Sequence, residues 1–133
     1  MANNDGAKRE VVFTDSAPAP VGPYSQANRV GNTIYVSGQL GLKPGEKTLA
    51  STLEEQTELA LANLVNVLKT AGAGPEHVVK TTCFLADMAD FPAFNKIYGT
   101  VFSQDPPARS CFGVKELPLG AKVEIEAVAV VPG

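Results

Sequence analysis

Between Ser51 and Pro75 the chain has one stretch that admits a single local structure. Leu53, Ala60, Leu61, Leu64, Leu68 and Ala71 recur at three- and four-residue spacing. A helix gathers them into one apolar stripe, whereas a strand would scatter them over both faces. Ser51 with Glu54 three residues on predicts a capping box, and Gly72 with Pro75 predicts the stop. Lys69 falls in the last turn, where a cation suits the helix dipole. Such a helix must lie on an apolar surface, which the rest of the chain has to supply.

Strand patterns supply it. Val11-Val12-Phe13 is a short strand ended by Asp15-Ser16, and residues 1–9 before it are polar and predicted to form a loose extension ahead of one domain, 10–133. Ala17-Pro18-Ala19-Pro20-Val21-Gly22-Pro23 is a stiff extended loop presenting Tyr24 and Ser25. Gln26–Val30 and Thr33–Val36 around Gly31-Asn32 predict a β-hairpin, closed by Ser37-Gly38-Gln39. After the helix, Val78–Leu85 is a strand on which Val79, Thr81, Cys83 and Leu85 alternate with Val78, Lys80, Thr82 and Phe84. Asp90 is the expected cap of a second helix, whose stripe is Phe91, Phe94, Tyr98, Val101 and Phe102 with Asn95 beside it. Arg109–Val114 and Lys122–Val131 are the last strands.

The order β-β-β-α-β-α-β-β predicts an α+β fold: one mixed sheet with both helices on one face. On the final strand Val123, Ile125, Ala127, Ala129 and Val131 form one row, against Glu124, Glu126, Val128 and Val130 on the other. Two helices cover one face only, so a partly apolar second face predicts a homo-oligomer that buries it.

Composition narrows the function classes. The 133 residues carry 11 Lys and Arg against 14 Asp and Glu, a formal net charge of −3, with no basic stripe; nucleic acid is an unfavoured partner. No apolar run is long enough for a membrane span. Two cysteines, Cys83 and Cys111, without CxxC spacing point to a reducing compartment, with the cytosol as the default and a mitochondrial location open. One histidine, His77, provides neither a zinc site of ordinary make-up nor a base for Cys111, and no phosphate loop, nucleophile elbow or dinucleotide fingerprint is present. The expectation is chemistry without metal or cofactor.

The stretch that points to chemistry is Pro106-Pro107-Ala108-Arg109-Ser110-Cys111. Two prolines fix the approach to a strand that delivers an arginine, the side chain best matched to a carboxylate. Arg109 and Cys111 share a side of that strand, and if the last two strands form a hairpin, Glu124 reaches the same neighbourhood. An Arg109–Glu124 ion pair that only holds the sheet or an interface is one reading; a carboxylate anchor beside a general base is the other. Tyr24 reads as a core aromatic or as a phenol reaching a pocket. Ser37 and Gly38 read as a strand end or as backbone ligands, Asn95 as a solvated surface residue, and Cys111 as a small buried hydrophobe rather than a nucleophile.

Five fragments in order then carry a resemblance: Gly22-Pro23-Tyr24-Ser25-Gln26-Ala27, Tyr35-Val36-Ser37-Gly38-Gln39, Asn95, Pro107-Ala108-Arg109-Ser110-Cys111 and Glu124-Ile125-Glu126-Ala127. From about Phe13 to Val131 the chain resembles the reactive intermediate deaminase A (RidA, YjgF-type) family. The resemblance implies a chorismate-mutase-like fold, a homotrimer with ligand clefts between subunits, and hydrolysis of 2-imino and enamine acids such as 2-aminoacrylate, 2-iminopropanoate and 2-iminobutanoate to 2-oxo acids and ammonia. It implies Arg109 as the carboxylate clamp and Glu124 as the residue that orients or activates water. The resemblance further implies that Tyr24, Ser37, Gly38, Asn95 and Cys111 line the cleft and that the substrates come from pyridoxal-phosphate-dependent serine and threonine dehydratases. A short Ser103–Pro106 link and Phe112-Gly113 after the motif depart from the family pattern. The competing functions are a small-carboxylate binding trimer without turnover and an endoribonuclease or translation inhibitor.

Overall fold

The computed structural model describes residues 8–133, so all but the end of the expected N-terminal extension lies outside the described residues; Arg9, placed in that extension, instead opens the first strand. In chain order the elements are β1 (Arg9–Val12), β2 (Ala27–Val30), β3 (Thr33–Gln39), α1 (Leu53–Thr70), β4 (Val78–Leu85), α2 (Phe91–Val101), β5 (Ala108–Gly113) and β6 (Val123–Val130). They form one six-stranded mixed sheet in the order β1-β2-β3-β6-β4-β5, the α+β arrangement that the patterning predicts.

The β2–β3 hairpin turns at Gly31-Asn32, where Gly31 supplies the positive φ of 59° that a two-residue turn needs at its first position. β4, α2 and β5 form a crossover unit, which forces β5 to run parallel to β4 at the sheet edge. The other side of β4 takes β6, antiparallel, and β6 pairs with β3 in turn. A β5–β6 hairpin, the condition for Glu124 to neighbour Arg109 within the chain, is therefore absent: β4 separates the two strands, and the segment from Val114 to Lys122 crosses over rather than turning back.

Both helices cover one face. Leu61, Leu64, Val67 and Leu68 of α1 meet Ile34, Val36, Ile125, Ala127 and Ala129 of the sheet, and Phe94, Tyr98 and Phe102 close the α2 side. α1 begins one residue later than its sequence signal. Thr52, not Ser51, is the N-cap and accepts from Glu55 N at 3.1 Å, which carries Leu53 into the core. Asp90 makes no capping bond, because a short 3-10 turn (Met88–Asp90) precedes α2 and Asp87 caps that turn, accepting from Ala89 N at 2.9 Å.

Alternation on β4 slips at its start. A register shift between Val78 and Lys80 leaves Val79 facing solvent while Val78 is buried with Thr81, Cys83 and Leu85. The opposite sheet face carries Tyr35, Phe112 and Val130 at 54%, 53% and 43% exposure, with half-buried Phe84 and Val128 between them. Thr82, Lys80, Glu124 and Glu126 share that face, so it is partly apolar, and its exposed aromatic and aliphatic side chains call for a cover.

Candidate active site

Asp105, at a φ of 45° that Asp tolerates, and the Pro106-Pro107 pair lead the chain into β5. Arg109 is in register with Thr81, and Thr81 with Ala127, so its side chain leaves the sheet on the helix-covered face. There it slides under α2. The guanidinium carbon lies 5.4, 5.9 and 4.7 Å from the ring centroids of Phe91, Phe94 and Tyr98, and Nη1 donates to Asn95 Oδ1 at 2.7 Å. One stripe of α2 thus makes an aromatic and amide cradle for a single cation. Tyr98 is itself fixed by a 2.7 Å hydrogen bond between its hydroxyl and Thr81 Oγ1. Asn95 is neither a solvated surface residue nor free to serve a ligand with its carbonyl; it orients Arg109.

Among the described residues no Asp or Glu lies within ion-pair distance of the half-buried Arg109. Four of its five N–H groups keep no protein acceptor among the described residues, the condition for binding a carboxylate. Cys111, two residues on, shares Arg109's face and is half-buried. Burial raises its thiol pKa despite the opposing pull of Arg109, and burial pushes its neighbour Cys83 up to about 12. Both stay protonated at neutral pH, which suits Cys111 to a wall and not to a nucleophile.

Glu124 sits on the other face. It alternates with buried Val123 and Ile125 and is in register with Phe84. Against it lies Gly38, in a stretch of β3 where the register with β6 shifts. A Cβ on Gly38 would come within 2.7 Å of Glu124 Cδ and 3.0 Å of Cγ, so the glycine is what allows the carboxylate arm to lie on the strand. Burial, and secondarily the charge of Glu126, raises the Glu124 pKa above the ordinary carboxylate value.

Tyr24, Ser37, Gly38 and Glu124 line one cavity of about 490 Å³. The loop carrying Tyr24 is held by Gln26, a residue whose role the sequence did not reveal. Its buried amide donates to Thr14 O at 3.0 Å and Pro18 O at 2.9 Å and accepts from Thr14 N at 2.7 Å. Ser37 turns its hydroxyl to Ser25 O at 2.6 Å, so it ties the same loop to β3. Tyr24 is half exposed and no core aromatic.

The candidate residues therefore fall into two half-sites. Arg109, Asn95 and Cys111 lie under α2; Tyr24, Ser37, Gly38 and Glu124 lie on the uncovered face. Arg109 and Glu124 are two strands apart, on opposite faces, and three register positions out of step, since Arg109 aligns with Ala127 across β4. No Arg109–Glu124 ion pair exists within the chain, and one protomer cannot apply both residues to one small molecule. Among the described residues no cluster of three or more His, Cys, Asp or Glu could hold a metal ion, and no helix is long and apolar enough to cross a membrane.

The model of the family described as Endoribonuclease L-PSP matches residues 14–131. Over 123 residues the chain is 50% identical to 2-iminobutanoate/2-iminopropanoate deaminase of Mus musculus, covering 92% of this chain and 91% of that protein. The chain belongs to the RidA/YjgF family. It is also 50% identical over 123 residues to Reactive Intermediate Deaminase A, chloroplastic, of Arabidopsis thaliana, and spans 66% of that longer protein. Among solved RidA-family structures, E. coli TdcF with bound serine superposes with a TM-score of 0.89 at 32% identity, covering 92% of this chain and 99% of the other. Yeast Mmf1 superposes at 0.90 with 38% identity, covering 94% and 100%.

Proposed function

We propose that this chain is a deaminase that hydrolyses reactive 2-imino and enamine acids to 2-oxo acids and ammonia, at sites completed between copies of the chain. The observation that carries it is an arginine held open for a carboxylate on one face and a carboxylate of raised pKa on the other. Each is half of what a 2-imino acid requires. Its carboxylate docks on Arg109, a charge-assisted contact worth roughly 1.5–3 kcal/mol. Its C=N carbon then meets a water held by Glu124.

In the ionised form Glu124 takes a proton from that water as the oxygen bonds to C2, and the imine nitrogen gains a proton. As the carbinolamine collapses, the proton held by Glu124 passes to its amine and the O–H proton passes to solvent, so ammonia leaves and the 2-oxo acid remains. Tyr24, the Ser37-Gly38 backbone and Cys111 close the cleft around the substrate. The reaction needs no redox step, and the proposal includes no cofactor or metal. The apolar open face supports a homotrimer, in which a heterologous interface repeated three times brings β5 of one copy against β3 and β6 of the next. Free Cys83 and Cys111 fit a cytosolic setting, and a serine or threonine dehydratase is the source proposed for the substrate. A net charge of −3 sets an RNA-cleaving role aside.

The test couples the protein to a serine dehydratase and follows semicarbazide-trapped imine. Faster loss of trapped product than in buffer, abolished in Arg109→Ala, is the expected result. A rate equal to spontaneous decay rejects the proposal.

A further inference from the structure

The cavity beside Glu124 has a wall that the reaction, as proposed, does not use. Leu119 lies in the 3-10 turn Pro118–Gly120 with φ 60° and ψ 15°, a left-handed conformation that a leucine disfavours and that Gly or Asn would adopt freely. Its side chain is nonetheless 65% exposed, and Val21, which lines the same cavity, is 91% exposed. Pro18, Leu40 and Leu42 add to the apolar lining.

Strained backbone positions cluster at functional sites, and this one sets an apolar side chain in the wall of the cavity that Glu124 lines. The volume agrees. A three-carbon imino acid has the bulk of roughly six waters, about 180 Å³. The cavity, at about 490 Å³ in one protomer, exceeds that, and the neighbouring copy's Arg109 half-site takes up part of the difference. Once C2 is at Glu124, with its nitrogen facing the acid and its carboxylate assigned to Arg109, only the third substituent remains, and the Val21–Leu119 wall is the surface left to receive it.

We infer that Val21 and Leu119 form a side-chain subsite that makes this chain prefer 2-imino acids with apolar substituents longer than methyl. The inference rests on the deaminase reading above and specifies its substrate class. Neither residue touches the reacting atoms; both act on specificity.

The experiment generates the imines of alanine, 2-aminobutanoate, norvaline and leucine with an amino-acid oxidase in the presence of catalase, and measures kcat/KM for wild type, Leu119→Asn and Val21→Ser. Asn relieves the left-handed strain, so Leu119→Asn keeps the fold. In wild type kcat/KM rises about 3- to 4-fold per added methylene, and both variants flatten that gradient while leaving the alanine-derived imine within about 2-fold. Calorimetric titration with pyruvate, 2-oxobutanoate and 4-methyl-2-oxopentanoate runs alongside. A wild-type profile without a gradient, or one that Leu119→Asn leaves intact, overturns the subsite while the deaminase reading stands. A uniform loss on all substrates with a changed solution mass also overturns it, since Leu119 would then be an interface residue. If no imine is hydrolysed but 2-oxo acid affinity climbs with chain length and depends on Leu119, the subsite holds and the deaminase reading falls.

Discussion

At the residue scale two side chains depend on what their neighbours lack or lend. Gly38 gives Glu124 its position by having no Cβ. In Gly38→Ala the carboxylate arm swings off β3, so kcat falls by about 10-fold or more while the melting temperature moves little, as differential scanning fluorimetry beside initial rates will show. Arg109 owes its aim to Asn95 and three aromatic rings, which recognise a flat delocalised cation. Arg109→Lys keeps the charge but loses both the stack and the fork, raising KM by about 10-fold or more in steady-state kinetics. Glu124 also carries a pH signature. Its folded-state pKa lies above the ordinary value of 4.5, so between those two values the folded protein binds more protons than the unfolded chain. Stability contributed at this position is therefore lost as pH rises through that window. Urea midpoints of wild type relative to Glu124→Gln should fall between pH 4 and pH 7; a difference that stays constant contradicts the assigned shift.

At the element scale α1 and α2 hold the sheet and, through α2, the arginine. The α1 cap gives a clean discriminator, because Ser51 and Thr52 are adjacent and only Thr52 accepts from a helix N–H, that of Glu55. Thr52→Ala costs about 1 kcal/mol in chemical denaturation and Ser51→Ala a few tenths. Sequence alone points to the wrong one of the pair. Both positions hold a hydroxyl with a glutamate three residues on, and the choice turns on Leu53, which has to enter the core. The same reason explains β4, where a one-residue bulge returns Val78 to the buried side after strict alternation had assigned that side to Val79.

At the scale of the whole molecule the half-sites make a quantitative statement about assembly. If Arg109 of one copy works with Glu124 of the next in a closed ring, Arg109→Ala and Glu124→Ala are each inactive. Co-refolding them in equal amounts restores about a quarter of the sites, because an intact arginine then faces an intact glutamate in one arrangement of four. A site contained in one protomer would regain nothing. The uncovered face, with Tyr35, Phe112 and Val130 exposed, is the surface on which that assembly is to be sought.

What the sequence by itself determined is local and periodic: the α1 stripe, the β2–β3 turn at Gly31-Asn32, the β4 and β6 runs, and the identity of the residues with chemistry to offer. Backbone periodicity and side-chain type suffice for these, since each is a property of a few consecutive residues. Only the tertiary structure decided which strands are neighbours. A hairpin between β5 and β6 would have brought Arg109 to Glu124 within one chain, and nothing local in the Val114–Lys122 link forbids it. Burial decides it: in the gap between β3 and β4 the apolar row Val123, Ile125, Ala127 and Ala129 of β6 is covered in the core, whereas the outer edge of β5 is left unpaired. That one choice of neighbours puts the two functional groups on opposite faces of the sheet.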